Sequence, residues 1–569
     1  MATHYIQAIL QNSMAHIFPD TDPDGTPPTH LSCLANEPLS FSVAYKLVSD
    51  RALNDGVYLE IESELPISLY AVGYLPVLQT RDPDNDDCYR AGLFGDILFP
   101  KKVNPPIKEL AYPWATLYME DDKTRLIART DSWQSVLLTV NESGKRQRAG
   151  SYPIKLTFRS VADRSPLAEV GLSVEVVGAS LPKQRLKYTN WLHCDCLCDM
   201  YGIEPFSDRF YEILADYVKK ASQNGMNTLL TPCFTPPLDT PIGGERMTVQ
   251  LVGVSVDRGV YSFDFSRLSR FIDVALQNGI EYFEHSHFFT QWGAQSAPKI
   301  MATVDGKYKR IFGWDTVAWG KKYTAFLQAY ISALLDFLKS RGLDRRFIYH
   351  VSDEPVPKNR ANYRRAKAAL GGLPDSYTVC DALSHYEFYE DGTVTTPVVV
   401  TQRLKDFYGR AKNLWGYYTG SCATGGAPNR KLNSSGERNR MLGVQMYMYG
   451  LEGFLHWGYN YWYGTLSQSI MDPRTDPGVF SGGNPGSAFL VYPAADGKCL
   501  QSIRQKVFYE AVNDMRALQA LEKRIGKRAT RRFVLDFFGE VSFDTPLGTP
   551  DRLLAFREAL NAEIARHCR

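Results

Sequence analysis

The spacing of the hydrophobic positions changes near residue 185, and that change divides the chain. Before it, short apolar runs alternate with polar positions: LSFSVAYKLV (39–48), VYLEIESEL (57–65), ISLYAVGYLPVLQ (67–79), SVLLTVNE (135–142), YPIKLTF (152–158) and GLSVEVVG (171–178). A period of two marks a strand with one face in a core. The spacing of the runs and the turn residues between them predict an antiparallel β-sandwich over 1–185. The acidic stretch Arg81–Asp87 and the Pro- and Lys-rich stretch Pro100–Lys108 read as loops.

After Leu181–Tyr188, strand-like runs alternate with helical ones. TNWLHCDC (189–196) precedes a helix over 208–224, MNTLLTPCF (226–234) a helix over 265–278, and IEYFEHSHFF (280–289) a helix over 320–341. RFIYHVSDEP (346–355) precedes a helix over 359–370. Weaker strands follow at 377–383, 396–402 and 413–419, then a helix over 435–449 and the strand GFLHWGYNYW (453–462). Strand then helix, about eight times over, predicts a (β/α)8 barrel, here placed at 186–535. A doubly wound open sheet is the alternative, but no strand-to-helix turn carries G-x-G-x-x-G or GK[ST]. Helices over 502–524 and 551–569 complete the chain, with 536–569 expected to pack as a helical extension.

Composition narrows the function. The 569 residues are 44% hydrophobic and 22% charged, with a formal charge of +2. That balance gives no electrostatic ground for a nucleic-acid or anionic-membrane partner. Aromatics make up 12%, which suits a cleft for the apolar faces of sugars, although an aromatic core accounts for most of them. The start, MATHYIQAILQNSMAHIFPD, lacks a basic segment followed by an apolar run, and no apolar segment approaches about 20 residues, so neither a signal peptide nor a membrane span is expected. Among ten cysteines, Cys194, Cys196 and Cys198 alternate along an apparent strand. Their Cβ atoms would lie roughly 6.5–7 Å apart, too far for unstrained disulfides, so reduced thiols in a cytoplasmic protein are expected. The sequence leaves homo-oligomer formation open.

The chemistry gathers at the proposed strand ends. RFIYHVSDEP runs as a strand into adjacent carboxylates, Asp353 and Glu354, and Pro355 is expected to hold Glu354 extended. One acid could be protonated while the other stays ionised, because like charges side by side raise one pKa. The alternative is that the pair caps the next helix. Other strand ends offer Trp191, His193 and Asp195; Glu284, His285 and His287, followed by Gln291 and Trp292; Trp415, Tyr417 and Tyr418; and His456, Trp457, Asn460 and Trp462. Each taken singly could be core. Barrel enzymes assemble their sites at these ends, so Trp191, His193, His285, His287, Tyr417, Tyr418, Trp457, Asn460 and Trp462 are the candidates for substrate contact. EHSH (284–287) and HCDC (193–196) lack C-x2-C or H-E-x-x-H spacing, so no metal and no cofactor is expected. A Cys nucleophile at Cys194, Cys196 or Cys233 would need a His partner. The loop TPPLDTPIGGERMTVQLV (235–252) is either a lid or an ordinary surface loop.

HVSDEP, GFLHWGYNYW and AFLVYPAADGKCLQSIRQKVFYEAVNDMRAL (488–518) together resemble the family 123 glycoside hydrolases, in their broader, largely uncharacterised branch. AGLFGDILFP (91–100), SWQSVLLTVN (132–141) and AGSYPIKLTF (149–158) resemble the same group's N-terminal motifs, so the likeness covers nearly the whole chain. It implies a β-sandwich before a (β/α)8 barrel, and a retaining β-N-acetylgalactosaminidase in which the substrate's acetamido oxygen attacks its own anomeric carbon to give an oxazoline. By that resemblance Asp353 would orient the acetamido N–H, and Glu354 would protonate the leaving oxygen and then activate water. From their strand positions alone, Trp457 and Trp462 are wall candidates for the sugar face or the acetamido methyl, with Tyr417, Tyr418 and Asn460 as hydroxyl or amide partners. Two alternatives stay open. One is a glycosidase for a sugar without an acetamido group, with Glu284 or Glu245 as second carboxylate. The other is an inactive carbohydrate-binding protein.

Overall fold

The computed structural model describes residues 4–50, 54–78, 90–100, 124–291, 293–371, 373–374, 376–478 and 484–568. The loop assigned to Arg81–Asp87, nearly all of Pro100–Lys108, and Trp292 lie outside them. By contacts the chain forms two compact units, Met1–Gln184 with Gly420–Tyr449 and Asp472–Arg569, and Arg185–Thr419 with Gly450–Met471. The boundaries drawn from the sequence assign 420–449 and 472–535 to the barrel, whereas their contacts lie with the first unit.

The first unit contains the β-sandwich. One sheet has seven strands in the order His4–Asn12, Leu39–Ser49, Gln134–Val140, Ile67–Val77, Gly92–Pro100, Cys499–Ser502, Tyr492–Pro493. The other has five, in the order His30–Leu34, Pro166–Val177, Gly150–Ser160, Asn54–Glu62, Thr124–Arg129. The alternation is visible in Pro166–Val177, where Leu172, Val174 and Val176 are buried and Gly171 and Glu175 are exposed. The sheets meet through contacts such as Tyr45 with Phe158, ring centres 5.4 Å apart. The long helix Ile503–Ile525, capped by Ser502, belongs to this unit. So do Lys527–Phe538, which the sequence pattern did not single out, and Pro550–Arg566.

The second unit is a closed barrel of eight parallel strands in sequence order: β1 Lys187–Asn190, β2 Thr228–Thr231, β3 Tyr282–His285, β4 Phe347–His350, β5 Thr378–Leu383, β6 Thr396–Val400, β7 Trp415–Tyr417 and β8 Gly453–His456. Lys187 pairs with Gly453, which closes the ring. Gly453 is required there, because a Cβ would collide with the Trp415 ring and force β7 and β8 apart. Its longer helices are α1 Cys194–Tyr201, α2 Asp208–Gln223, α3 Ser266–Gln277, α4 Lys321–Ser340 and α5 Arg360–Ala369, and single-turn helices at Glu387–Glu390 and Leu404–Phe407 follow the fifth and sixth strands. α4 shows why they form. Tyr323, Phe326, Leu327, Tyr330, Ile331, Leu334 and Leu338 recur at helical spacing and are all buried, each such side chain contributing about 1.5–3 kcal/mol. The long connections after β2 and β3 are not bare loops. They contribute a four-stranded sheet, in the order Val260–Asp264, Gly253–Asp257, Ile300–Val304, Lys307–Phe312.

One element differs in kind from its sequence pattern. The cysteines at 194, 196 and 198 lie on helix α1, not on a strand. β1 stops at Asn190, and α1 is closed by Gly202 in the left-handed conformation at φ 59°. All three thiols are free and buried.

Candidate active site

The buried strand β4 delivers the acid pair. Beyond His350 the backbone is held from both sides. Phe288 and Phe289, just past β3, donate their N–H groups to the carbonyls of His350 (3.2 Å) and Val351 (3.0 Å). Asp381 on β5 accepts from the amides of Val351 (3.1 Å) and Ser352 (3.2 Å), and Ser352 Oγ donates to the Thr290 carbonyl (2.8 Å). With those amides taken by a side chain, the chain leaves the sheet and turns. Asp353 is half-buried and Glu354 exposed.

Glu354 is not extended, as the following proline led us to expect. It is left-handed, at φ 42°. Such a conformation costs on the order of 1–3 kcal/mol in a side-chain-bearing residue and persists only where its surroundings impose it. The turn lets Glu354 accept a hydrogen bond from Tyr417 Oη on β7. Nor does the pair cap a helix: α5 begins at Arg360, beyond a short turn over Pro357–Asn359.

A buried polar network lies beneath the pair. Glu284 on β3 accepts from Thr189 Oγ1 (2.7 Å) and Trp191 Nε1 (2.9 Å), and lies 2.6 Å from His350 Nε2. His350 is also 3.8 Å from Asp381 Oδ1 and 3.6 Å from the Cys380 sulfur. Burial alone would lower the His350 pKa, but the charges of Cys380 and Glu284 and the Asp381 hydrogen bond raise it well above the usual imidazole range. Burial pushes the Asp381 carboxyl up, against His350, Tyr363 and the Ser352 amide. Asp353 is raised well above the usual carboxylate range, first by burial, then by the charges of Glu354 and Asp381, with His350 opposing. Neighbouring carboxylates resist ionising together, and here it is Asp353 that is raised.

The remaining sequence candidates fall into separate groups. Tyr417 reaches Glu354 directly. Trp191 and His287 join the layer below: Trp191 meets His287 edge-on at 5.1 Å, and His287 lies 4.6 Å from His350. Burial and His350 hold the His287 pKa well below the usual range. His193, Trp457 and Asn460 meet where β1 and β8 end. Asn460 accepts from the His193 amide (2.8 Å) and donates to its carbonyl (3.1 Å), and His193 Nε2 lies 2.8 Å from the Trp457 carbonyl. Burial, then Arg246, brings the His193 pKa down to about 4. The Asn460 amide therefore joins two strand ends.

His285, Tyr418 and Trp462 point elsewhere. His285 Nε2 lies 2.8 Å from Tyr330 Oη of α4, Trp462 is buried against Tyr217 of α2, and Tyr418 packs on Phe454 and His456. Successive strand residues face opposite sides, so Glu284 takes the interior and His285 the helix layer. Sequence reasoning missed His350 and Asp381. A lone aspartate inside the apolar strand YTVCDAL was the available signal for Asp381.

Among the described residues no three His, Cys, Asp or Glu side chains are grouped to hold a metal ion. Burial raises the Cys194 and Cys196 thiols well above their ordinary range and Cys233 to about 12, which keeps them protonated and poorly nucleophilic. The 235–252 loop is packed rather than free, since buried Arg246 pairs with Asp195 at 2.7 Å.

A closed parallel barrel with an adjacent Asp–Glu pair past its fourth strand is the framework of a barrel glycosidase. The chain belongs to glycoside hydrolase family 123: the family's model, glycoside hydrolase 123 catalytic domain, matches residues 191–521. Among solved structures, a family 123 glycoside hydrolase from Clostridium perfringens, studied for glycolipid glycan hydrolysis, superposes at a TM-score of 0.70. It has 12% identity and covers 99% of this chain and 97% of its own. At that identity the likeness shows the shared fold. A β-glucuronidase from Bacteroides uniformis (TM-score 0.30, 9% identity, 88% of this chain and 52% of its own) and a family 2 member from Bacteroides cellulosilyticus (0.27, 11%, 79% and 44%) are too distant to bear on it. No curated protein matches the chain. Among the described residues no helix is long and apolar enough to cross a membrane.

Proposed function

We propose that the protein is a retaining exo-glycosidase that releases β-linked N-acetylhexosamine, with N-acetylgalactosamine as the leading substrate, through an oxazoline intermediate. The observation that carries this reading is the engagement of Glu284. Both its oxygens are committed to buried bonds with Thr189, Trp191 and His350. Glu245 is likewise held, by Lys299 at 2.8 Å and Arg310 at 3.4 Å. A retaining enzyme with a carboxylate nucleophile needs two carboxyls about 5–5.5 Å apart across the glycosidic bond. Adjacent residues on one turn are not an opposed pair, so the nucleophile is assigned to the substrate.

In the first step the acetamido carbonyl oxygen bonds to C1 as the C1–O bond to the leaving group breaks. Glu354 gives its proton to the departing oxygen, and Asp353 accepts the hydrogen bond of the acetamido N–H. The raised proton affinity of Asp353 suits it to take the N–H proton as positive charge builds on the ring being formed. In the second step Glu354 removes a proton from water, the oxygen of that water bonds to C1 as the oxazoline's C1–O bond breaks, and Asp353 returns the proton to the acetamido nitrogen, with overall retention. Tyr417 fixes the Glu354 carboxylate. Buried free thiols favour a reducing compartment, so a cytoplasmic location belongs to the same proposal.

The test compares p-nitrophenyl β-GalNAc, β-GlcNAc, β-galactoside and β-glucoside, using wild type, Asp353→Asn, Glu354→Gln and Glu284→Gln. Turnover of the acetamido sugars, inhibition by a thiazoline analogue of the oxazoline, and losses of about 10²–10⁴ in the first two variants are expected. Activity confined to the plain hexosides would defeat substrate assistance.

A further inference from the structure

A third carboxylate stands beside the acid pair's framework with no task in the chemistry above. Asp239 lies in the connection after β2, half-buried and left-handed at φ 50°. Three contacts fix it. Its N–H donates to Gln291 Oε1 (2.7 Å), its carbonyl accepts from Ser467 Oγ (2.7 Å), and its Oδ2 accepts from Tyr461 Oη. Gln291 adjoins Thr290, the residue whose carbonyl holds Ser352 beside the acid pair. A chain of short bonds thus runs from the catalytic turn to Asp239. The Tyr461 ring meets Trp457 at 5.1 Å, and Trp457 keeps part of its indole exposed.

Asp239 is not paid for by a cation. Arg246, the guanidinium whose charge favours ionised Asp239, is bound to Asp195 at 2.7 Å. Among the described residues Asp239 has no ion pair, and its Oδ1 has no hydrogen-bond donor. Burial raises its pKa to about 6, only partly opposed by Arg246. A fixed, half-buried carboxylate with one free oxygen, one tyrosine away from a partly exposed tryptophan, can receive hydroxyl donors on an apolar ring. A hexose offers both.

We propose that Asp239, braced by Tyr461 and floored by Trp457, accepts the hydroxyls of the sugar remote from C1 and C2, and so selects the hexose configuration. The inference rests on the glycosidase reading above and extends it to the far side of the ring. A carboxylate accepting from a hydroxyl discriminates more strongly than an apolar wall, because losing the hydroxyl strands a half-buried charged group.

The experiment measures kcat/KM of wild type, Asp239→Asn and Tyr461→Phe on the β-hexoside cleaved best and on its 3-, 4- and 6-deoxy analogues. Asp239→Asn should lose about 10²-fold on the parent sugar, yet stay within about threefold of wild type on one of the deoxy analogues. Tyr461→Phe should move the same way by a smaller factor, and it carries the comparison if Asp239→Asn does not fold. Equal losses on every substrate would make Asp239 a loop brace, and no loss would remove it from recognition; either overturns the proposal. If only plain hexosides are cleaved, the acetamido mechanism falls while the deoxy comparison still runs on those sugars. If none is cleaved, tryptophan-fluorescence titration with the same deoxy sugars decides, and loss of the hydroxyl preference in Asp239→Asn is the supporting result.

Discussion

Tyr417 on β7 hydrogen-bonds Glu354, whose left-handed backbone turns its carboxyl toward that hydroxyl. The phenol donates to the carboxylate form and fixes where its oxygens sit. A charge-assisted bond of this kind contributes about 1.5–3 kcal/mol. Tyr417→Phe keeps the ring, so packing is spared and the bond is lost. We expect kcat to fall about 10- to 100-fold with KM little changed. Steady-state kinetics on a p-nitrophenyl substrate measure this directly. A change in KM alone would instead make Tyr417 a ground-state contact.

Asp353 leads to a prediction about stability and its sign. Its pKa is raised in the folded protein by burial and by its acidic neighbours. The native state therefore binds a proton more tightly than the unfolded chain, and the ionised side chain opposes folding. Below the usual aspartate pKa of about 3.9, both states are protonated and Asp353 costs nothing from this source. As pH rises through and above that value the unfolded state ionises first, and folding loses ground until the folded group has titrated too. Asp353→Asn removes the charge. The variant should melt a few degrees above wild type near neutral pH, and the gap should close as pH falls toward 4, even though activity is lost. Differential scanning calorimetry across pH 4 to 8 reads the trend. A variant less stable than wild type at neutral pH would contradict the assignment.

The acid pair and the barrel were legible because both are written in local patterns. Strand–helix alternation placed β4, and Pro355 marked where β4 must end. The orientation of single side chains was harder. Trp191 and Trp462 look alike in sequence, yet one bonds Glu284 inside the barrel and the other packs on Tyr217 in the helix layer. Both stand past the last residue of their strands, Asn190 and His456, so the course of the following loop decides which way each turns, and distant tertiary contacts set that course. The cysteine run shows another limit. HCDC alternates like a strand, but Asn460 captures the His193 backbone after β1 and a helix starts next to it. That cause lies 267 positions away in the chain. The left-handed Glu354 was hidden for a similar reason, since it is imposed by Asp381 and Tyr417 from other strands.

The first unit holds a buried charge network whose behaviour is equally testable. Arg557 bonds Glu37 at 2.6 Å and Asp514 at 2.7 Å, and Arg440 bonds Asp514 and Glu510, each at 3.0 Å. All five side chains are nearly inaccessible to water. Ser13 Oγ and the Ser40 amide N–H donate the remaining hydrogen bonds to Glu510. Replacing such a cluster by apolar groups can be neutral, whereas removing one cation strands charges in a medium that solvates them poorly. Arg557→Met fills similar volume and leaves Glu37 and Asp514 without their shared guanidinium. We expect a loss of about 3–5 kcal/mol, seen as an earlier unfolding transition in urea. A loss well under that size would mean that Arg557 contributes mainly the packing of its methylene stem, which methionine largely keeps, rather than its charge.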